Sequence, residues 1–392
     1  MSYNARVLFV SGFISFFGWA FSALITVTVY ASFGRDFGWF FVALLLPPIL
    51  FQRWFKLFLD TFDTKKSLVF VQASRGVLLL LQAIMLKYEL LGPFVLCTFV
   101  FVQSLLHKVF VSALFVYIPR LIAEPERAQF LAKSGSWSQL GWGLGAAIFA
   151  LTNTYFAASF LLLVDCLAYG ISVIIFAKLS PIVNHALPAT TRVQGHSSSS
   201  SPNLLAQYLT TLSPLQLAFF IAYPMIVLKL FVAVTTNLAF SVPSLGATGL
   251  GLLDCAFRVG VVGIGFLYQG YIALSMRTYK AWLLLFLLLS SSLALLVVVR
   301  NHSLVSLFCA AMLGLVYGVM VTVSRSSLYT VQEDKGYSQV IVRTNMVDNI
   351  GGLVTTLATT WCMHHVGLLP FFIMAFALGM LLLLHCRVRF LH

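Results

Sequence analysis

Charged residues are scarce in this chain of 392 residues. Asp, Glu, Lys and Arg make up 9% of it, and only 11 residues are acidic, whereas a soluble domain carries roughly 25% charged residues. So few charges cannot cover a water-exposed surface, which excludes a soluble enzyme and a disordered protein. Hydrophobic residues make up 60% of the chain. They come in runs of about twenty, which favours membrane-spanning helices over the short alternating segments of a transmembrane barrel.

Motifs of enzymes and metal sites are also missing. The six cysteines form no CxxC pair and have no metal-ligand spacing, so they predict neither a disulfide scaffold nor a zinc site. The sequence has no P-loop, which argues against ATP hydrolysis by this chain, and no arrangement of Ser, His and Asp typical of a hydrolase. We therefore predict a protein that is not an enzyme and that needs no cofactor or metal.

The apolar runs predict an all-α integral membrane protein with twelve transmembrane helices. The predicted spans are 7–31, 38–58, 67–87, 94–118, 134–152, 155–178, 214–240, 247–273, 281–299, 303–325, 341–363 and 366–385.

The basic residues indicate how the chain is oriented. The net charge is +13, which in a soluble protein would suggest nucleic acid. With both termini in the cytoplasm, 17 of the 24 basic residues fall in inner loops, three in outer loops and four within spans. This is the positive-inside pattern of a multi-pass protein. We predict an inner-membrane protein whose basic face meets the anionic lipid of the cytoplasmic leaflet, with no nucleic-acid partner.

The sequence divides into two similar halves. Residues 1–178 and 214–392 each hold six predicted spans, and the Ser-rich segment 179–213 reads as a flexible cytoplasmic linker. Segments 128–145 and 338–355 resemble each other at a constant offset of 210. Two similar six-helix halves are the architecture of many secondary transporters, in which the substrate site lies between the halves at the bilayer midplane.

Two loops carry a resemblance to a known family. The loop after span two, KLFLDTFDTKK at 56–66, is similar to the signature of the major facilitator superfamily, a Gly followed by an Asp and basic residues. Asp60 and the pair Lys65 and Lys66 match that signature, whereas Lys56 and Thr61 stand where the family has Gly and Arg.

The loop after span four resembles one branch of that superfamily. The stretch YIPRLIAEPERAQ at 117–129 is similar to a loop of enterobactin-type siderophore exporters and related drug exporters. The glycine-rich stretch 141–147 and the segment VDCLAY at 164–169 resemble the same branch. The resemblance implies alternating access by two six-helix halves, with spans one, four, seven and ten around a central cavity.

Ionisable residues within spans are candidates for function because burying them in a bilayer is costly. Lys108 lies in span four and Lys229 in span seven, so the resemblance implies that both face the cavity. The alternative is that each pairs with a carboxylate in a structural bridge between helices. His107, beside Lys108, is either a substrate ligand or a hydrogen-bonded packing residue.

Span eight contains a candidate coupling pair. Asp254 and Arg258 are four residues apart, so they share a helix face and can form an ion pair. Protonation of Asp254 would free Arg258, although the pair could also be purely structural. Asp165 in span six is interpreted as structural, and Arg75 in span three is expected to snorkel toward the cytoplasm.

The remaining candidates lie in span one and at the cytoplasmic ends of helices. Trp19 and Tyr30 are predicted to bind substrate together with His107, Lys108, Lys229 and Arg258. Topology alone suggests a cytoplasmic gate, in which residues near span eleven face residues of the N-terminal half. The predicted gate residues are Asp60, Lys65, Lys133, Arg343 and Asp348.

These observations predict a secondary transporter that exports a small anionic, siderophore-like metabolite, driven by protons. The predicted excess of cations at the midplane favours an anion, and we expect a monomer. One alternative is an importer of the same ligand class, and another is an exporter of hydrophobic drugs or lysophospholipids. A membrane scaffold or sensor without transport activity is a further alternative.

Overall fold

The computed structural model describes residues 3–34, 36–51, 54, 63–121, 124–179, 214–241, 245–267, 303–330 and 337–365. Two predicted spans, 281–299 and 366–385, lie outside this part of the chain, as does the linker from residue 180 to 213. The helices, numbered in chain order, are α1 Tyr3–Ser32, α2 Phe37–Leu45, α3 Pro47–Leu50, α4 Thr64–Lys87, α5 Pro93–Leu121, α6 Glu124–Thr152, α7 Ala158–Ala177, α8 Pro214–Ser241, α9 Gly246–Leu267, α10 Ser303–Thr330 and α11 Tyr337–His365.

Seven of the described helices are long and apolar enough to cross a membrane: α1, α4, α5, α7, α8, α9 and α10. Helices α6 and α11 have 29 residues each, enough to span a bilayer at 1.5 Å per residue, but they contain more polar residues. The chain is thus a multi-pass membrane protein. The largest difference from the predicted ends is at α6, which begins at Glu124 instead of residue 134.

The second predicted span, 38–58, is not one continuous helix. Helix α2 ends at Leu45, and the short helix α3 begins at Pro47. Pro47 and Pro48 have no backbone N–H, so they cannot donate the hydrogen bonds that would continue α2. The amide of Leu46 still donates to the carbonyl of Val42 at 2.9 Å and closes the last turn.

The same arrangement of helices occurs in both parts of the chain. Helix α1 packs against α6 as α8 packs against α11, and α2 packs against α5 as α9 packs against α10. Gly141 of α6 faces the backbone of Phe13 in α1, and Gly351 of α11 faces Ile226 in α8. These are two of the residues that the sequence repeat aligned, and they occupy corresponding contacts.

Contacts between the two parts are made by α6 against α9 and by α2 against α11. Two apolar clusters lie beside these contacts. One is formed mainly by α8, α9 and α10 around Phe231, Phe257 and Tyr317. The other contains Phe21, Tyr30, Phe41 and residues of six further helices, including Ala233 and Leu250 of the C-terminal part. The polar side chains described next interrupt this apolar packing.

Candidate functional site

An aromatic cluster joins α1, α5 and α6. The rings of Trp19 and His107 are stacked, with centroids 4.1 Å apart and planes 6° apart. Phe16, one turn before Trp19, contacts His107 edge-on at 5.9 Å and the ring of Trp142 at 6.2 Å. Trp19, His107 and Trp142 are each only partly buried. The structure thus brings together two predicted substrate residues, Trp19 and His107, and adds two that the sequence analysis did not single out.

The predicted pair of Asp254 and Arg258 is confirmed. Arg258 Nε lies 3.3 Å from Asp254 Oδ1, and the Arg258 side chain is 1% exposed. The pair does not stand alone, because α6 supplies two partners. Trp142 Nε1 donates to Asp254 Oδ2 at 2.8 Å, and Arg258 Nη1 donates to Gln139 Oε1 at 2.7 Å. The guanidinium carbon also lies 4.0 Å from the centre of the Trp142 ring.

This four-residue cluster, Gln139, Trp142, Asp254 and Arg258, lies where α6 meets α9, so it joins the N-terminal part to the C-terminal part. Gln139 and Trp142 are three residues apart, which places them on one helix face. That spacing was the only sequence signal for them, and it could not show that α9 was the facing helix.

Lys229 forms an interhelical bridge, the alternative that the sequence analysis left open. Its ammonium lies 2.7 Å from Asp348 Oδ1 in α11 and also donates to the Asp348 carbonyl at 2.8 Å and to Asn349 Oδ1 at 3.3 Å. The side chains of Lys229 and Asp348 are 18% and 7% exposed. Gly352 makes this possible, because a Cβ there would overlap the Lys229 side chain.

The expectation that Arg75 snorkels to the cytoplasm is wrong. Its side chain is fully buried and lies between the rings of Trp19 and Tyr169, with the guanidinium carbon 5.0 Å and 4.5 Å from their centres. The side chain lies where α4 packs against α7, inside the protein and not at its surface. Asp165, also fully buried, lies on the adjoining face of α7.

Lys108 occupies the same helix as His107. It is partly buried, and its positive charge acts on both His107 and Lys229. The middle parts of the described spans contain more cations than carboxylates. The four cations are Arg75, Lys108, Lys229 and Arg258, and the three carboxylates are Asp165, Asp254 and Asp348.

Other predicted residues lie away from these clusters. Tyr30 is buried near the end of α1, where its hydroxyl donates to the Asp36 carbonyl at 3.1 Å and its ring contacts Phe37 and Phe40. It is eleven residues beyond Trp19, or about 16 Å along a helix.

The predicted gate is described only in part. Lys65 donates to the Leu179 carbonyl at 2.5 Å, just past the end of α7, and Asp63 caps α4 by accepting from the Lys65 amide at 2.7 Å. Asp60 and the side chains of Lys133 and Arg343 lie outside the described residues. The gate roles, including that of Asp348, stay predictions. Within the described part, no group of three or more His, Cys, Asp or Glu side chains is arranged to hold a metal ion.

Comparison with solved structures identifies the architecture. The nucleoside transporter NupG superposes with a TM-score of 0.64 at 11% sequence identity, over 100% of both chains. An aspartate-to-alanine mutant of NupG gives 0.62 at 12% identity, over 98% of this chain and 99% of that one. This chain has the major facilitator fold. No protein-family profile and no curated protein sequence matches it. The predicted fold is thus confirmed, whereas membership of the superfamily, the count of twelve helices and the siderophore-exporter branch stay predictions.

Proposed function

We propose that this protein is a secondary transporter that moves a small polar metabolite across the membrane by alternating access. The observation that carries the proposal is the cluster of Gln139, Trp142, Asp254 and Arg258 between α6 and α9, which places charged groups at the contact between the two parts of a major facilitator fold. Burying charged side chains in a membrane costs free energy. At this contact, the hydrogen bonds between the two parts form and break as the two halves move relative to each other.

For the substrate, we propose a small anion, such as a siderophore-like metabolite. Four mid-span cations against three carboxylates leave an excess of positive charge, which attracts anions in a low-dielectric cleft. The bridges of Lys229 and Arg258 reduce this excess. We place Lys108, which follows His107 in α5, next to the substrate. Export and coupling to protons, with Asp254 as the coupling carboxylate, complete the proposal.

A nucleoside is the second candidate substrate. The Trp19 and His107 rings already stack face to face, with Phe16 and Trp142 beside them, so this region holds the aromatic side chains against which a planar base stacks. The fold shared with NupG adds support for this class. A neutral nucleoside would not require the charge of Lys108, so the two candidates differ in how they depend on that residue.

Transport by purified protein in liposomes separates these candidates. We would supply labelled citrate, a catecholate iron chelator, uridine and adenosine in turn, each with and without a pH gradient, in both directions. Saturable flux of the citrate or chelator supports the anion proposal, and flux of uridine or adenosine alone supports the nucleoside proposal. No flux of any solute, including cationic dyes and lysophospholipid, would contradict the transporter proposal and favour a scaffold.

A lysine variant tests the place of Lys108. For an anion, Lys108→Ala should weaken apparent affinity about tenfold or more, because a charge-assisted hydrogen bond contributes about 1.5–3 kcal/mol and 1.4 kcal/mol is tenfold. Lys87→Ala is the matched control, since Lys87 is exposed at the end of α4 and should leave transport unchanged. If Lys108→Ala reduces abundance and activity equally, Lys108 is structural.

Location and orientation complete the proposal. We propose that the protein resides in the inner membrane as a monomer, with both termini in the cytoplasm. In cells grown without iron, deletion of the gene should trap chelator inside if the protein exports it. Failure of ferric-chelate uptake with normal secretion would instead indicate import.

A further inference from the structure

A second group of buried polar side chains lies within the N-terminal part, away from Asp254. It is enclosed by α1, α4, α5 and α7, and its two charged members, Arg75 and Asp165, are both fully buried. A chain of hydrogen bonds runs beside them, from Ser15 and Ser172 to Gln72. Neither charged residue belongs to the substrate or gate residues proposed above.

Asp165 lacks the hydrogen bonds that an ionised carboxylate needs. Neither of its oxygens accepts a hydrogen bond of good geometry, and Oδ1 points at α1, where a Cβ on Gly18 would lie 2.7 Å away. The Ser22 hydroxyl of α1 lies near the carboxyl group, but it donates to the Gly18 carbonyl at 2.8 Å. Burying a charged carboxylate without donors costs far more than burying a protonated one, so this geometry suits a carboxyl group that holds a proton.

Arg75 is close to Asp165 without bonding to it. Its charge attracts that carboxyl group, yet its Nε and Nη2 atoms have no acceptor, and Nη1 is 3.4 Å from Gln72 Oε1. The guanidinium is instead held between the faces of Trp19 and Tyr169, an arrangement stabilised by cation–π attraction. Arg75 thus has two alternative partners, the aromatic rings and the carboxylate.

We infer that Asp165 and Arg75 form a proton-binding site in the N-terminal half. Asp165 carries a proton while Arg75 is stacked on the rings. The proton leaves to water when Arg75 moves to the carboxylate and neutralises it. The pair carries a net charge of +1 while Asp165 is protonated and no net charge after the proton leaves. The two arrangements constitute a two-state element whose balance a ligand can shift.

Trp19 connects this site to the proposed substrate position. One neighbour of the Trp19 ring is Arg75, and another is His107, which stacks on it and precedes Lys108 in α5. When Arg75 leaves the ring, Trp19 loses support on one side, so proton release changes the surface offered to substrate. This step rests on the proposed transport function, whereas proton binding itself does not.

Other groups face the pair and set its electrostatic surroundings. Helix α5 contributes His107, and α7 contributes Cys166 and Tyr169. The part of α1 nearest to Asp165 contributes Gly18 and Ser22, which are not ionisable. The charge of Arg75 in α4 acts on the carboxyl group, whose burial disfavours the charged form.

Infrared spectroscopy of the purified protein in lipid nanodiscs tests the site without any substrate. We expect an absorption band of a protonated carboxyl group that disappears as pH is raised and is missing in Asp165→Asn. The matched control is Asp254→Asn, which should keep that band. If Asp165→Asn retains the full band, or if Asp254→Asn alone removes it, the inference is wrong.

A second variant keeps the test decisive if Asp165→Asn does not fold. In Arg75→Gln no cation can replace the proton, so loss of the band should move to higher pH. An unshifted titration would overturn the inference. A transport assay then separates the two proposals. If Asp165→Asn still transports an identified solute, and the pH dependence of that flux is unchanged, the transporter proposal holds and coupling through this site is rejected.

Discussion

At the scale of single residues, some buried charges have partners on other helices that the sequence could not reveal. Lys229 was predicted to face a cavity or to pair with a carboxylate of another helix, and its ammonium lies 2.7 Å from Asp348. Both side chains are at least 82% buried, since their exposures are 18% and 7%. For a bridge this enclosed, the desolvation of each charge matters as much as the attraction between them.

Double substitution of this bridge should therefore be milder than single substitution. Lys229→Met or Asp348→Leu alone leaves one buried charge without its partner and should reduce stability by about 3–5 kcal/mol. The combined variant removes both charges and should recover most of the loss in melting temperature, measured by fluorescence in detergent.

The same variants distinguish stability from function. If Lys229 also binds substrate, transport should stay lost in the double variant although the protein is stable again. Additive destabilisation by the two substitutions would show that the bridge does not stabilise the fold. Recovery of both stability and transport would show that the bridge is only structural.

At the scale of helices, glycines determine how closely neighbours approach. A Cβ on Gly260 of α9 would overlap the Ala311 carbonyl of α10, and one on Gly314 of α10 would overlap the Phe257 carbonyl of α9. Small residues allow such contacts in membranes, where packing and not water exclusion holds helices together. The glycine-rich stretch of α6 follows the same rule, with Gly141 and Gly145 against the backbone of α1.

Substitution of one packed glycine should separate α9 from α10. Gly314→Ala is expected to destabilise the protein by about 1–3 kcal/mol, the usual cost of overpacking. Gly263→Ala is the control in α9, because nothing lies within 4 Å of the Cβ it would add. The measurement is the melting temperature of each variant. Equal melting temperatures would mean that α9 and α10 accommodate the added methyl group without loss of stability.

Hydropathy was sufficient to predict most helices but not their partners. For α8, the run of apolar residues predicted both ends to within one residue: the predicted span is 214–240, and the helix is Pro214–Ser241. Hydropathy did not predict the start of α6, because residues 124–133 are mostly polar. It also did not predict the break before Pro47, because proline interrupts a helix without making the segment more polar. Charge pairs were predictable only within one helix, as for Asp254 and Arg258, because spacing of i and i+4 implies proximity. Trp142 and Asp348 come from other helices, so their contacts depend on the tertiary fold.

At the scale of the whole molecule, alternating access requires the contact between α6 and α9 to change while contacts within each half persist. This contact can be fixed by a disulfide. A Cβ on Gly251 of α9 would lie 3.0 Å from the Cβ of Ala150 in α6, slightly less than the roughly 3.5–4.5 Å found in disulfides. Ala20 of α1 and Gly145 of α6 offer a matched pair inside the N-terminal half, at 3.2 Å.

Cross-linking these two pairs tests whether the halves move as rigid bodies. The variants are made in a background whose six native cysteines are replaced and which still transports. Oxidation of Ala150→Cys/Gly251→Cys should stop flux of the solute found in the liposome screen, and a reductant should restore it, because the bond ties the halves together. Oxidation of Ala20→Cys/Gly145→Cys should leave flux near that of the reduced protein, because α1 and α6 belong to one half. Inhibition by both bonds would mean that the N-terminal half itself deforms during transport, and inhibition by neither would mean that the α6–α9 contact stays closed throughout the cycle.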